Sequence, residues 1–223
     1  MYTKALPAVA LIGLAGAANA NIYIQTSDQP STQSFFSDAV SGQFFSQRMA
    51  DNFMLDSAAS ATSIAWWGGS QNFNFADPTN MLSYTVEIYT SDLAGAPDLA
   101  NVLLSQTVSI GDGNLTSSAT GATLFGGGNE YAYTLNLDSA LNLDSGVQYW
   151  ISVGATLDNT FGDAWVWSGS SQGDLVNATD FFDGGEYTIF DPTFNDLAFA
   201  IVPAPSTAVV AFGFLGMSTR RRR

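Results

Sequence analysis

The residues of this chain that could do chemistry are almost all carboxylates. There is no His and no Cys among the 223 residues, and Lys4 is the only lysine. Their absence excludes a Ser-His-Asp triad, a thiolate nucleophile, a His or Cys zinc site and, beyond residue 4, Schiff-base chemistry. What remains is acid chemistry. Glu87, Glu130 and Glu186 are the only glutamates, and a glycosidase needs two carboxyl groups about 5 Å or about 6.5–9.5 Å apart. No spacing selects a pair, so the sequence assigns no catalytic residue and reads as non-enzymatic.

Two further sets have types suited to binding. In "DFFDGGE", Asp180, Asp183 and Glu186 gather oxygen ligands around glycines, as Asp158, Asn159 and Asp163 do in "DNTFGD". Calcium takes six to eight hard oxygens and tolerates irregular geometry. Neither run has EF-hand spacing, so a structural calcium at Asp180, Asp183 and Glu186 stands beside the plainer reading of turn and strand-end acids. No other cofactor is expected. The second set is Trp66, Trp67, Trp150, Trp165 and Trp167. A flat indole on a β-sheet can stack on the apolar C–H face of a sugar, so these five form a candidate glycan platform, with burial in the core as the competing reading. Trp66 and Trp67 are adjacent and must point to opposite faces of a strand, so at most one is core. Trp165 and Trp167 share a face, and Trp150 opposes the row from Val147 to Val153.

The elements that hold these residues read as strands. In "YAYTLNL", Tyr131, Tyr133, Leu135 and Leu137 alternate with small or polar residues. Leu82, Tyr84, Val86 and Ile88 do the same, as do Val147, Tyr149, Ile151 and Val153, and Leu197, Phe199 and Ile201. Period two over short runs signals half-buried strands. Turn formers separate them: Gly68-Gly69-Ser70, Gly95-Ala96-Pro97, Gly111-Asp112-Gly113, Gly126-Gly127-Gly128 and Asp183-Gly184-Gly185. No 3.6-residue stripe interrupts the pattern. The expected fold is an all-β antiparallel sandwich, jelly-roll-like, with an up-and-down barrel as the lesser alternative.

Charge divides the chain into three. Lys4, an apolar run and Ala18-Asn19-Ala20 read as a signal peptide over residues 1–20, helical and cleaved before Asn21. Residues 21–202 carry all 20 acids against one base, Arg48, a net charge of −19. Such a body excludes nucleic acid as a partner and disfavours an anionic membrane. Arg48 is expected to pair with a cross-strand acid, because Asp51 lies on the opposite face of its strand, and to be buried beside the Trp66-Trp67 strand. Residues 203–223 form a tail: Pro203, Ala204, Pro205 and Ser206, a short apolar segment that reads as a helix, then Arg220, Arg221, Arg222 and Arg223. The apolar segment is short of the ~20 residues of a stable membrane span. The arginines set its topology by the positive-inside rule.

This tail resembles a PEP-CTERM sorting domain, with Ala204 where the family motif has Glu. The resemblance covers about the last 20 residues. It implies export, recognition by an exosortase-type membrane peptidase and the secretion machinery, transient membrane association, and delivery to the cell envelope or an exopolysaccharide matrix. A second resemblance spans the body. "RMADNF", "WWGG", "YTVEIYT", "YAYTLNL", "GVQYWISV", "AWVWS" and "DLAFAI" follow the order of a recurring module of exported bacterial proteins, which implies a secreted β-sandwich and transfers no functional residue. The function expected is structural or adhesive. A carbohydrate-binding module is the alternative and a carboxylate glycosidase the third reading.

Overall fold

The computed structural model describes residues 22–28, 33–38, 47–72, 81–125, 127–158, 163–181, 186–190 and 195–203. The signal and tail helices expected at either end lie outside the described residues. Within them the chain forms fourteen strands and no helix. These are β1 (Tyr23–Gln25), β2 (Ser34–Phe36), β3 (Gln47–Met54), β4 (Ala59–Asn72), β5 (Met81–Ser91), β6 (Pro97–Ser109) and β7 (Leu115–Thr123). Then come β8 (Asn129–Leu143), β9 (Gln148–Leu157), β10 (Asp163–Ser170), β11 (Asn177–Phe181), β12 (Thr188–Phe190), β13 (Asp196–Leu197) and β14 (Phe199–Pro203).

They make two antiparallel sheets that face one another as a sandwich. The eight-stranded sheet follows the order β1-β14-β4-β10-β13, with β8 paired to β4, β7 to β8 and β2 to β10. The six-stranded sheet runs β12-β11-β3-β9-β5-β6. Alternation sends one row of each strand inward. Ile64, Trp66, Tyr133, Leu135, Trp165, Trp167, Phe199 and Ile201 from the first sheet meet Phe53, Tyr84, Val86, Ile88, Ile151 and Val153 from the second in one core. Ring contacts cross the gap: Trp66 to Tyr84 at 5.3 Å, Tyr84 to Trp165 at 5.4 Å and Phe53 to Phe199 at 5.7 Å between centroids. Each such pair adds about 0.5–1.5 kcal/mol beyond area burial.

The alternating rows end sooner than their sequence suggests. Leu82 is 52% exposed and Val147 36%, because each sits where its strand leaves the sandwich. Gly68-Gly69-Ser70, a turn by composition, is instead the interior of β4, paired with Trp167, Val166 and Trp165 of β10. The glycine serves packing there. A Cβ at Gly68 would collide with the Val166 carbonyl oxygen and the Trp165 ring.

The two ends of the domain meet. β1 pairs with β14 from Tyr23↔Ile201 to Gln25↔Phe199, and the Ile22 amide donates to the Ile201 carbonyl at 2.9 Å. β14 in turn lies against β4, ending with Pro203 opposite Ala61. The chain therefore enters and leaves the sandwich at the same end.

Candidate functional site

Strand alternation decides what the tryptophans can do. Trp66, Trp150, Trp165 and Trp167 are all 0% exposed, and only Trp67 is half-buried. The first pair obeys the expected split, Trp66 inward and Trp67 outward. Trp165 and Trp167 fill the main core, their rings 6.4 Å apart. Trp150 is off the main core as its parity requires, but it is covered on the outer face by Ala50, Tyr89, Ala178, Val176 and Tyr187. Its indole N–H is held by Ser91 Oγ at 3.0 Å and the Gly95 carbonyl at 3.1 Å. A buried indole has no face for a sugar. The five-residue platform is corrected to one residue, Trp67.

That outer face of the six-stranded sheet also holds Arg48. β3 lies between β11 and β9, so Arg48 stands opposite Asp180 of β11 and its side chain reaches across β9 to β5. Its Nη1 donates to Glu87 Oε2 at 3.0 Å. The same oxygen accepts from the Tyr89 hydroxyl at 2.5 Å, and Oε1 accepts from Ser105 Oγ at 3.1 Å. Burial, then the neighbouring Tyr187 and Glu87, push the Tyr89 phenol far above its ordinary range. Glu87 thus accepts three hydrogen bonds, from Arg48, Tyr89 and Ser105.

Arg48 does pair with an acid on another strand and not with Asp51. It does not lie beside the Trp66-Trp67 strand, because β3 and β4 belong to different sheets. The pair is only half-buried, at 35% exposure for the Arg48 side chain and 16% for that of Glu87. Arg48→Ala is therefore expected to cost about 1–2 kcal/mol, above the ~0–1 of an exposed pair and below the ~3–5 of a fully buried one. Urea denaturation checks it, and a loss above about 3 kcal/mol would show that the pair is sealed from water.

Three other acids are used inside the sandwich. Asp51 sits on the same face of β3 as Met49 and Phe53 and is fully buried. Its Oδ2 accepts from the Leu197 amide at 2.5 Å and Oδ1 from the Asn52 amide at 2.8 Å, and turning the Gln25 amide over brings its nitrogen to Oδ2 as a donor at 2.9 Å. Asp51 thereby ties β3 of one sheet to β13 of the other. Asp196, also buried, accepts from the Leu175 amide at 2.8 Å. Burial and the charge of Asp196 hold the Asp51 carboxyl well above its usual range. Burial likewise pushes Asp196 up to about 6, Asp174 adding to it while the Leu175 N–H opposes.

Glu130 is fully buried as well. Ser168 Oγ donates to its Oε1 at 2.7 Å, and Thr120 Oγ1 and Ser27 Oγ donate to Oε2 at 2.9 and 3.2 Å. Enclosed in hydroxyls and sealed from solvent, Glu130 cannot flank a glycosidic bond. That leaves Glu186, exposed, and Glu87, engaged by three donors. For calcium, Asp180 is buried on β11, Glu186 is exposed, and Asp183 lies outside the described residues. Among the described residues no group of three or more acids is placed to hold a metal ion. Of the sorting motif, Pro203 closes β14; Ala204, Pro205, Ser206 and Arg220–Arg223 lie outside the described residues. Among the described residues no helix is long and apolar enough to cross a membrane.

A family profile, "Domain of unknown function (DUF7901)", matches residues 23–202. The chain belongs to that family. The DUF7901 match opens on the first residue of β1 and closes inside β14, so it takes in both sheets and Asp51, Glu130 and Asp196. Neither a curated protein nor a solved structure matches the chain.

Proposed function

We propose that the protein is an exported, non-catalytic module, structural or adhesive in the cell envelope or an extracellular polysaccharide matrix. In this reading residues 1–20 are a signal peptide, and residues 203–223 are a sorting tail read by an exosortase-type peptidase. The body between them is the working domain, a sandwich of jelly-roll-like connectivity. The observation that carries the proposal is the segregation of charge: Arg220–Arg223 and Lys4 at the ends, and Arg48 alone against 20 acids between. The meeting of β1 and β14 supports it, since leader and tail then attach at one end of the domain. Mass analysis of the intact protein from its native host tests it. The surface form should lack residues 1–20 and the arginine cluster, and replacing the four arginines with Ser should impair processing while the domain stays folded. Surface-located protein with an intact C-terminus would rule out a cleaved sorting tail.

A second reading, glycan binding, is carried by Trp67. On a glycan array Trp67→Ala should abolish any signal without lowering the melting temperature; an unchanged signal would rule the indole out. A calcium bound near Asp180 and Glu186 would appear as a saturable rise in melting temperature, reversed by chelator at fixed ionic strength.

A further inference from the structure

Two Asn-x-Ser/Thr acceptor patterns occur in the chain, Asn114-Leu115-Thr116 and Asn177-Ala178-Thr179. In an exported protein such a pattern marks an asparagine that can carry a glycan, provided it lies on the surface. The fold separates the two. Asn177 is 1% exposed inside β11, and its side-chain amide donates to the Asn195 carbonyl at 3.0 Å. Asn114 lies in the exposed turn between β6 and β7, and among the described residues no group holds its side-chain amide.

The turn is ordered by its own backbone and leaves the acceptor open. Gly111, at a φ of +87°, reverses the chain. Asp112 Oδ1 accepts from the Asn114 N–H at 2.8 Å, and the Asp112 carbonyl accepts from the Leu115 N–H at 3.1 Å. Leu115 packs against the core, so alternation turns Thr116 outward, where it is exposed. A Cβ added at Gly111 or Gly113 would meet nothing within 4 Å. Because β7 pairs with β8 alone, an enzyme can close on this turn while the sandwich stays folded.

We propose that Asn114 is an N-glycosylation site whose donor is a polyprenyl-diphosphate-linked oligosaccharide. Asn114 Nδ2 displaces the lipid diphosphate from the anomeric carbon. The carbon–oxygen bond to the diphosphate breaks and a carbon–nitrogen bond forms. A base on the transferase takes one amide proton, and the diphosphate leaves with the electron pair of the broken bond. Thr116 supplies the hydroxyl that completes the acceptor pattern. The exposed Asp112 carboxylate, two residues before the acceptor, is a handle for a cationic group of the enzyme. Asn177 has Leu175 at the corresponding position. The proposal rests on the export reading, because the donor is presented outside the cytoplasm.

Cleavage before Asp112 and Asp138 gives one peptide that contains Asn114. Mass spectrometry of that peptide, from protein purified from its native host, is expected to place sugar residues on Asn114, with none on Asn177. Asn114→Gln should remove that mass and leave the melting temperature unchanged. In vitro, the folded full chain should accept oligosaccharide at Asn114 from a bacterial oligosaccharyltransferase supplied with the lipid-linked donor. Thr116→Ser should retain transfer and Thr116→Ala abolish it. Asp112→Asn, which keeps the turn and drops the charge, should lower it about tenfold or more. Host protein that lacks residues 1–20 yet has a bare Asn114 would overturn the site and leave the export reading standing. Host protein that keeps residues 1–20 would reject export, and the site with it. Transfer in vitro to Asn177 as readily as to Asn114, or only to the urea-unfolded chain, would also overturn the assignment.

Discussion

Lowering the pH from 7.5 to 4.5 is expected to stabilise this protein, the reverse of ordinary acid denaturation. The sign follows from the buried pair of acids. Asp196 titrates near 6 in the folded chain against an ordinary 3.8, and Asp51 is displaced in the same direction. A carboxyl whose folded pKa is raised adds its full stabilisation below the unfolded value and loses it as pH rises through the folded value. Above about pH 6 both states of Asp196 are ionised, and the folded one holds its charge away from water with Asp51 and Asp174 near. Asp196 alone then contributes roughly 2 kcal/mol between pH 7.5 and 4.5, a melting-temperature rise of about 4–8 °C for a domain of this size. Tyr23, held up to about 12 by burial first, stays neutral throughout the window. Asp196→Asn, which mimics the protonated form, should be more stable than wild type at pH 7.5 and should flatten the profile. A melting temperature that falls between pH 7.5 and 4.5, or a variant with the full rise, would contradict the assignment.

Trp167→Ala is expected to cost about 3–5 kcal/mol, a large part of the ~5–15 kcal/mol that holds a domain together. The ring is fully buried against Trp165, and its Nε1 donates to the Ala198 carbonyl at 2.8 Å, fixing β10 to the segment between β13 and β14. Trp167→Phe keeps most of the packing but removes the shorter of that carbonyl's two hydrogen bonds, leaving the Trp67 N–H at 3.2 Å, an added ~0.5–1.5 kcal/mol. Trp66→Phe has no such bond to lose, because Trp66 Nε1 is buried without a hydrogen-bond partner. The expected order of loss is Trp167→Ala, then Trp167→Phe, then Trp66→Phe, read from urea midpoints at constant m-value. A Trp66→Phe loss equal to that of Trp167→Phe would show that the hydrogen bond is not the difference. These core effects also bear on function, since lost glycan binding in a Trp167 variant reports unfolding, whereas in a Trp67 variant it reports the surface.

What the sequence made legible was parity. The opposite fates of Trp66 and Trp67, the shared face of Trp165 and Trp167, and the separation of Arg48 from Asp51 all follow from a side-chain period of two within one strand. Parity also flags Asp51, an acid in the same row as Met49 and Phe53, although its buried partner was out of reach. Asp196 lies 145 positions further on, and no local pattern reports which distant strand comes alongside. Arg48 met the same limit. Its face was readable, but its neighbours depend on β3 pairing with β9 and β11 rather than with the adjacent β4. Trp150 shows a third limit, since periodicity separates two faces of a sheet but is silent on whether Tyr187 and Val176 will fold over the outer one. For the site, the residue types excluded His, Cys and Lys chemistry outright. The three bonds to Glu87 and the sealing of Glu130 needed donors from four other strands and the segment that follows β1.

The place where the chain leaves the sandwich has a mechanical consequence. Tension transmitted through the residues after Pro203 enters along the axis of β14, which is flanked by β1 on one side and β4 on the other. Ladder hydrogen bonds lie across an antiparallel strand, so such a pull loads them in shear and together, not one by one as when an edge strand is peeled. Phe199 and Ile201 resist the same displacement, because sliding β14 would draw both out of the core. A tether fixed at this point grips the domain by an interior strand, and drag on the body is borne by two ladders at once.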